Sequence, residues 1–190
     1  MTSKLKMDAL ETVSGAGKIQ LVSQLSGMTS ESLPSGSVLQ VVHVNKVDSF
    51  VGSSQTWHNI TGLSATITPT YASSKILLTC VVQVGGQNDW GGSHFRMVRD
   101  GVVLTVGSTA GHQVNAHTGG LMRRSGHSLD SKTLLEYDSP NTTSAVTYTL
   151  QGYPENDDGG GTVYINTCNQ PDTDYTSNGV SSIVLTEIKG

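Results

Sequence analysis

The sequence predicts an all-β domain, an antiparallel sandwich or barrel, behind an extended N-terminal arm. Three observations carry that expectation. Runs of β-branched residues, often alternating with polar ones, recur about eight times after residue 36. Gly, Ser and Thr, at 22, 24 and 22 residues, make up about 36% of the 190 positions, which suits turns and outward strand positions. Helical periodicity is absent after residue 36, and charged residues amount to only 14%, so a helical bundle or coiled coil is excluded.

The arm is residues 1–36. It holds two short apolar pieces, 10–13 and 19–22, separated by Ser14-Gly15-Ala16-Gly17, and it ends at Pro34-Ser35-Gly36. The expectation is an extended docking segment with one or two short strands, or a helix over 5–13. Its Gly17-Lys18 is not a phosphate loop, because Ile19 follows the lysine and the first glycine is missing at the required spacing.

The domain is residues 37–190. Strands are expected at 37–46 and 63–69. The run 75–84 is apolar enough to be a central strand covered on both faces. Residues 93–99 alternate, with Phe95 and Met97 offset from Arg96 and Val98; Asp100-Gly101 then marks a two-residue hairpin into a strand at 102–106. Further strands are expected at 144–151, where Val146, Tyr148 and Leu150 share a face, at 162–168 and at 181–188. The intervals 48–59, 87–92, 108–130 and 169–179 read as long polar loops.

Several function classes fall away. The formal charge is -4, with 11 Lys and Arg against 15 Asp and Glu, so no basic surface for nucleic acid is expected. No apolar run reaches the length of a membrane span, and the N-terminus has no secretory core. Cys80 reads as a buried thiol; pairing with Cys168 is a separate geometric option. No nucleophile elbow or organised catalytic set is present, so no enzyme activity is expected, although folding can pair Asp89, Asp130, Glu136, Asp138 or Glu155. His112, His117 and His127 share one loop with Asp130, yet they lack metal-ligand spacing and read as loop histidines. Asn156-Asp157-Asp158-Gly159 reads as a turn rather than a calcium loop. No metal or cofactor is expected.

Binding is better represented. Trp57 and Trp90 each sit among polar residues and glycines, where an indole stacks on a sugar or anchors a protein contact. Asn88 and Asp89 beside Trp90 supply hydrogen bonds to hydroxyls, and Tyr153 and Tyr175 are further candidates for ligand contact.

The order of several segments is familiar as well. Pro34-Ser35-Gly36-Ser37-Val38-Leu39-Gln40-Val41-Val42, the stretch 60–78, Val98-Arg99-Asp100-Gly101-Val102, Tyr148-Thr149-Leu150-Gln151, Thr162-Val163-Tyr164-Ile165-Asn166 and the stretch 181–188 resemble a domain of tail-fibre and appendage proteins of tailed bacteriophages, notably marine ones. The resemblance covers residues 34–190, and residues 17–22 resemble the segment that precedes such domains. It implies a jelly-roll β-sandwich, usually trimeric, on a virion surface. It also implies an arm that contacts other virion proteins, with distal loops free for a host surface glycan or receptor. No catalytic residue comes with it. The chain lacks a long shaft, so the resemblance fits either a small fibre or tip protein, or an architectural adaptor or capsid decoration protein.

Overall fold

The computed structural model describes residues 29–86, 91–108, 111, 113–119, 127–156, 161–169 and 177–190. Two compact units divide the chain, Met1–Leu33 and Pro34–Gly190. In the first, Ser30–Ser32 form a single 3₁₀ turn after Thr29. The expected pieces at 10–13 and 19–22 lie outside the described residues.

The second unit is built from β1 (Val38–Lys46), β2 (Phe50–Ser53), β3 (His58–Ile67), β4 (Lys75–Gly85), β5 (Gly91–Arg99), β6 (Val102–Val103), β7 (Leu129–Asp138), β8 (Val146–Asn156), β9 (Thr162–Ile165) and β10 (Ser181–Ile188). All pairings are antiparallel. One sheet runs β1-β10-β4, with β7 on the other edge of β4; the second runs β3-β8-β5-β6. With β2 and β9 set aside, the other eight strands switch sheets at every step except the β5–β6 hairpin, which is jelly-roll order. The fold is a sandwich and not a barrel.

The core follows from strand alternation. Ile76, Leu78, Cys80, Val82 and Val84 of β4 point inward, as do Leu63, Ala65 and Ile67 of β3, Phe95 and Met97 of β5, and Val146, Tyr148 and Leu150 of β8. Ile183 and Leu185 of β10 and Val163 and Ile165 of β9 complete it. Each such aliphatic or aromatic side chain contributes about 1.5–3 kcal/mol by leaving water. The Asp100-Gly101 turn joins β5 to β6 with φ of 49° and 83°, the primed geometry that matches strand twist.

Four expectations need correction. β4 is covered on one face only: Leu77, Thr79 and Val81 point outward and are half-buried, because the described residues supply no third layer. The strand expected at 102–106 is two residues long; beyond it, the edge of β5 is filled by Thr118, bridged to Phe95. The strand expected at 162–168 stops at Ile165, since Asn166 turns the chain with φ 59°. The interval 48–59 contains β2, and 108–130 ends inside β7. Cys80 and Cys168 are both buried and both free.

Polar anchors hold the corners. The Asn166 amide donates to the carbonyls of Lys46 (2.8 Å) and Asp48 (3.0 Å), and its oxygen accepts from the Ser181 hydroxyl at 2.6 Å. At the opposite corner the buried Glu187 carboxylate accepts from Gln40, Ser74 and the backbone N–H of Thr70, each at 2.6 Å, and from the Thr70 hydroxyl at 3.0 Å.

Candidate functional site

The outer face of the second sheet gathers a plate of planar side chains. Register places Asn59 of β3, Gln151 of β8 and Arg96 of β5 in one row. Arg96 Nε donates to Gln151 Oε1 at 2.8 Å, and Gln151 Nε2 donates to Asn59 Oδ1 at 2.8 Å. In the next outward row Tyr153 faces His94, with ring centroids 6.3 Å apart. His94 Nε2 meets Glu155 Oε2 at 2.5 Å.

Trp57 caps this row. It lies just before β3, after a turn in which Ser54 takes φ 105° and its carbonyl accepts from the Thr56 N–H at 2.7 Å. The turn delivers the indole onto the sheet. Its ring sits 4.0 Å from Arg96 Cζ and 5.4 Å from the Tyr153 ring, tilted by 48°. The cation–π contact contributes about 0.5–1 kcal/mol and the aromatic pair about 0.5–1.5 kcal/mol. Trp57 is therefore half-buried on the sheet and not free on a loop. Burial lowers the Arg96 pKa from its usual value, which leaves the guanidinium charged at any physiological pH.

The plate thus joins two aromatic rings to a row of amide and guanidinium groups, with an imidazole–carboxylate pair at its edge. Aromatic faces accept the C–H face of a sugar ring, and fixed amide and guanidinium groups address its hydroxyls. Of the sequence candidates, the structure brings Trp57 and Tyr153 together, although 96 positions separate them. Trp90, Asn88, Asp89 and Tyr175 lie outside the described residues. Arg96, Gln151, Asn59 and His94 were not among the candidates, and Glu155 was considered only as a carboxylate for catalysis. The alternation over 93–99 already put Arg96 on the face opposite Phe95 and Met97, but only the β5–β8 register shows what it meets.

The carboxylates considered for catalysis have other partners. Asp138 accepts from Arg99 Nη1 at 2.8 and 2.6 Å and from the Tyr148 hydroxyl at 2.7 Å. Burial, reinforced by the hydrogen bond to Asp138, pushes the Tyr148 hydroxyl far above its usual pKa, so it stays a neutral donor. Glu136 faces His117 at 3.4 Å, and Asp130 faces Lys132 at 3.3 Å. Asp89 is outside the described residues. Among the described residues no group of three or more His, Cys, Asp or Glu is placed to hold a metal ion.

No protein-family model matches the chain, and no curated protein matches it. Among solved structures, it is similar to a chain from "Structure of infectious bursal disease virus Gt strain", with a TM-score of 0.40 and 13% identity over 90% of this chain. That likeness spans 44% of the other chain, less than half its length, and it carries nothing about function.

Proposed function

We propose that this chain is a virion structural protein, a small trimeric tail-fibre or appendage subunit that binds a host surface saccharide on the outer face of its second sheet. The virion assignment rests on the ordered segments at 34–42, 60–78, 98–102, 148–151, 162–166 and 181–188. The arm serves contacts with other virion proteins, and no catalytic step is assigned. The observation that carries the binding role is the Trp57–Arg96–Tyr153 plate with its Gln151–Asn59 row. Single contacts of this kind are weak, and copies on one particle multiply them.

Self-association is supported by the outer face of the first sheet. Register gives three outward rows: Val41, Thr186, Leu77, Tyr137; then His43, Val184, Thr79, Leu135; then Asn45, Ser182, Val81, Thr133. None of these twelve positions is Asp, Glu, Lys or Arg. Val41, Leu135 and Tyr137 are 58%, 60% and 55% exposed. Six of the twelve are aliphatic or aromatic and none is charged, a face suited to packing against identical copies around a symmetry axis.

One observation favours the second reading, an architectural adaptor or decoration protein: Arg96 already covers part of the Trp57 ring. A glycan array probed with the full chain and with Trp57→Ala separates the two. Saccharide retention that depends on Trp57 supports recognition. Absence of retention, with the particle structure showing the plate covered by a virion neighbour, establishes the architectural role.

A further inference from the structure

We propose that Glu136 and His117 form a divalent transition-metal site, with zinc the ion their donor types favour, at the sandwich edge where β7 meets β5. Glu136 points inward from β7, and its side chain is 10% exposed. Its Oε1 accepts from the Thr105 hydroxyl at 3.1 Å and from the Tyr137 N–H at 3.2 Å. Its Oε2 is buried and has no hydrogen-bond partner among the described residues. A buried carboxylate oxygen left without a donor is costly, and a cation removes that cost.

The group facing this oxygen is His117 Nδ1 at 3.4 Å. That separation is longer than the 2.7–3.2 Å of a good N–H···O bond. It equals the edge of a tetrahedron with bonds of about 2.0–2.1 Å, which is about 3.3–3.4 Å, the spacing of two N and O ligands on one zinc ion. The chain offers an internal contrast. His94 and Glu155 stand at 2.5 Å, a closed hydrogen bond with no room for an ion between them.

His117 is held in place by its backbone. Its N–H donates to the Phe95 carbonyl at 2.9 Å, and Phe95 N–H donates to the Thr118 carbonyl at 2.7 Å, so the segment is clipped to the edge of β5. A cavity of about 290 Å³ opens beside the pair, lined by Thr105, Val106, Gly107 and His117. Both residues that Glu136 meets across the sandwich edge, Thr105 and His117, thus line it. The cavity has room for the water ligands that complete a shell holding two protein donors. Imidazole with carboxylate suits zinc, nickel or copper, whereas magnesium favours an all-oxygen shell. Loop proximity in the sequence groups His117 with His112, His127 and Asp130; the partner that β7 supplies is Glu136.

The test is calorimetric titration of the chelator-treated full chain with zinc chloride, alongside thermal unfolding. The expected result is one saturable zinc ion per chain, a raised Tm, and no saturable heat with magnesium chloride. Glu136→Gln keeps an acceptor for Thr105 and removes the anionic donor; His117→Asn removes the imidazole. Each lowers zinc affinity at least tenfold, while His94→Asn leaves it unchanged. Cobalt substitution gives tetrahedral visible bands in the wild type and loses them in His117→Asn, which keeps the test decisive even where Glu136→Gln fails to fold. Absence of saturable zinc binding overturns the proposal. So does binding that both variants leave intact, or that His94→Asn abolishes.

Discussion

Glu187→Gln tests the physical account of the fold most directly. Glu187 is fully buried near the end of β10, and its two carboxylate oxygens accept four hydrogen bonds from Gln40, Thr70 and Ser74. Burial alone raises its pKa; the hydrogen bonds from Ser74, Gln40 and Thr70 outweigh that and hold it below the usual 4.5. A glutamine keeps one accepting oxygen and sets its NH₂ against the Gln40 amide, donor facing donor. The Gln40 amide has a second acceptor, the Thr68 carbonyl at 2.7 Å, so it is not stranded. The two bonds left on the amide oxygen change from charge-assisted to neutral, and the Thr70 hydroxyl has to turn and accept from the new NH₂, a loss of about 1 kcal/mol each, partly offset because an amide costs less to bury than a carboxylate. The expected net loss is about 2–3 kcal/mol, or roughly 5–10 °C in Tm for a domain of this size.

The sign with pH follows from the depressed pKa. A carboxylate ionised more readily in the folded state contributes stability that is fully present above 4.5 and is lost as pH falls through the lower folded value. Urea unfolding at a series of pH values from neutral to acid measures both effects. The wild type loses stability below pH 4.5 and Glu187→Gln loses less, so the two curves converge toward acid. A variant within about 0.5 kcal/mol of wild type at pH 7, or two curves that stay parallel, refutes the account.

The other predictions address the surfaces and the thiols. Trp57→Ala removes the contacts with Arg96 and Tyr153, costs about 1–2 kcal/mol in unfolding free energy, and abolishes saccharide retention on an array. Leu135→Lys with Tyr137→Lys shifts the chain toward monomer in sedimentation velocity while unfolding free energy changes by less than about 1 kcal/mol, because both side chains are exposed. Burial pushes the Cys80 thiol up to about 12, and Cys168 is shielded by burial, so Ellman's reagent detects neither thiol in the folded protein and two after denaturation. Gly85→Ala sets a methyl group against the Thr167 carbonyl and the Cys168 backbone and destabilises the domain by about 3 kcal/mol in chemical denaturation.

Strands with an ordinary inside and outside were legible. Residues 181–188 became β10 because Ile183 and Leu185 alternate with half-buried neighbours, and 93–99 became most of β5 for the same reason. β2 escaped notice because it is four residues long and buries only Gly52. The plate was half legible. Polar surroundings singled out Trp57, and Tyr153 was named separately, but their meeting depends on the pairing of β3 with β8, and Arg96 joins through the pairing of β5 with β8. Such long-range register is not written in any local pattern.

The misreading of β4 and the failure to see β7 share one cause. In β4 the outward residues Leu77 and Val81 are as apolar as the inward ones, so the run looked doubly covered. In β7 the pattern is inverted: Glu136 and Asp138 face the sandwich edge, while Leu135 and Tyr137 face outward. Both strands lie side by side in the first sheet, and their outward residues belong to the same uncharged rows. A rule that assigns apolar residues to the interior of one chain fails there because, among the described residues, the sandwich ends one layer short of what these residues are suited to. Under the proposed self-association, a second copy supplies the covering that β4 seemed to require. Lysines at Leu135 and Tyr137 therefore disrupt assembly without unfolding the subunit, and the same two substitutions placed inward, at Leu134 and Ile183, unfold it.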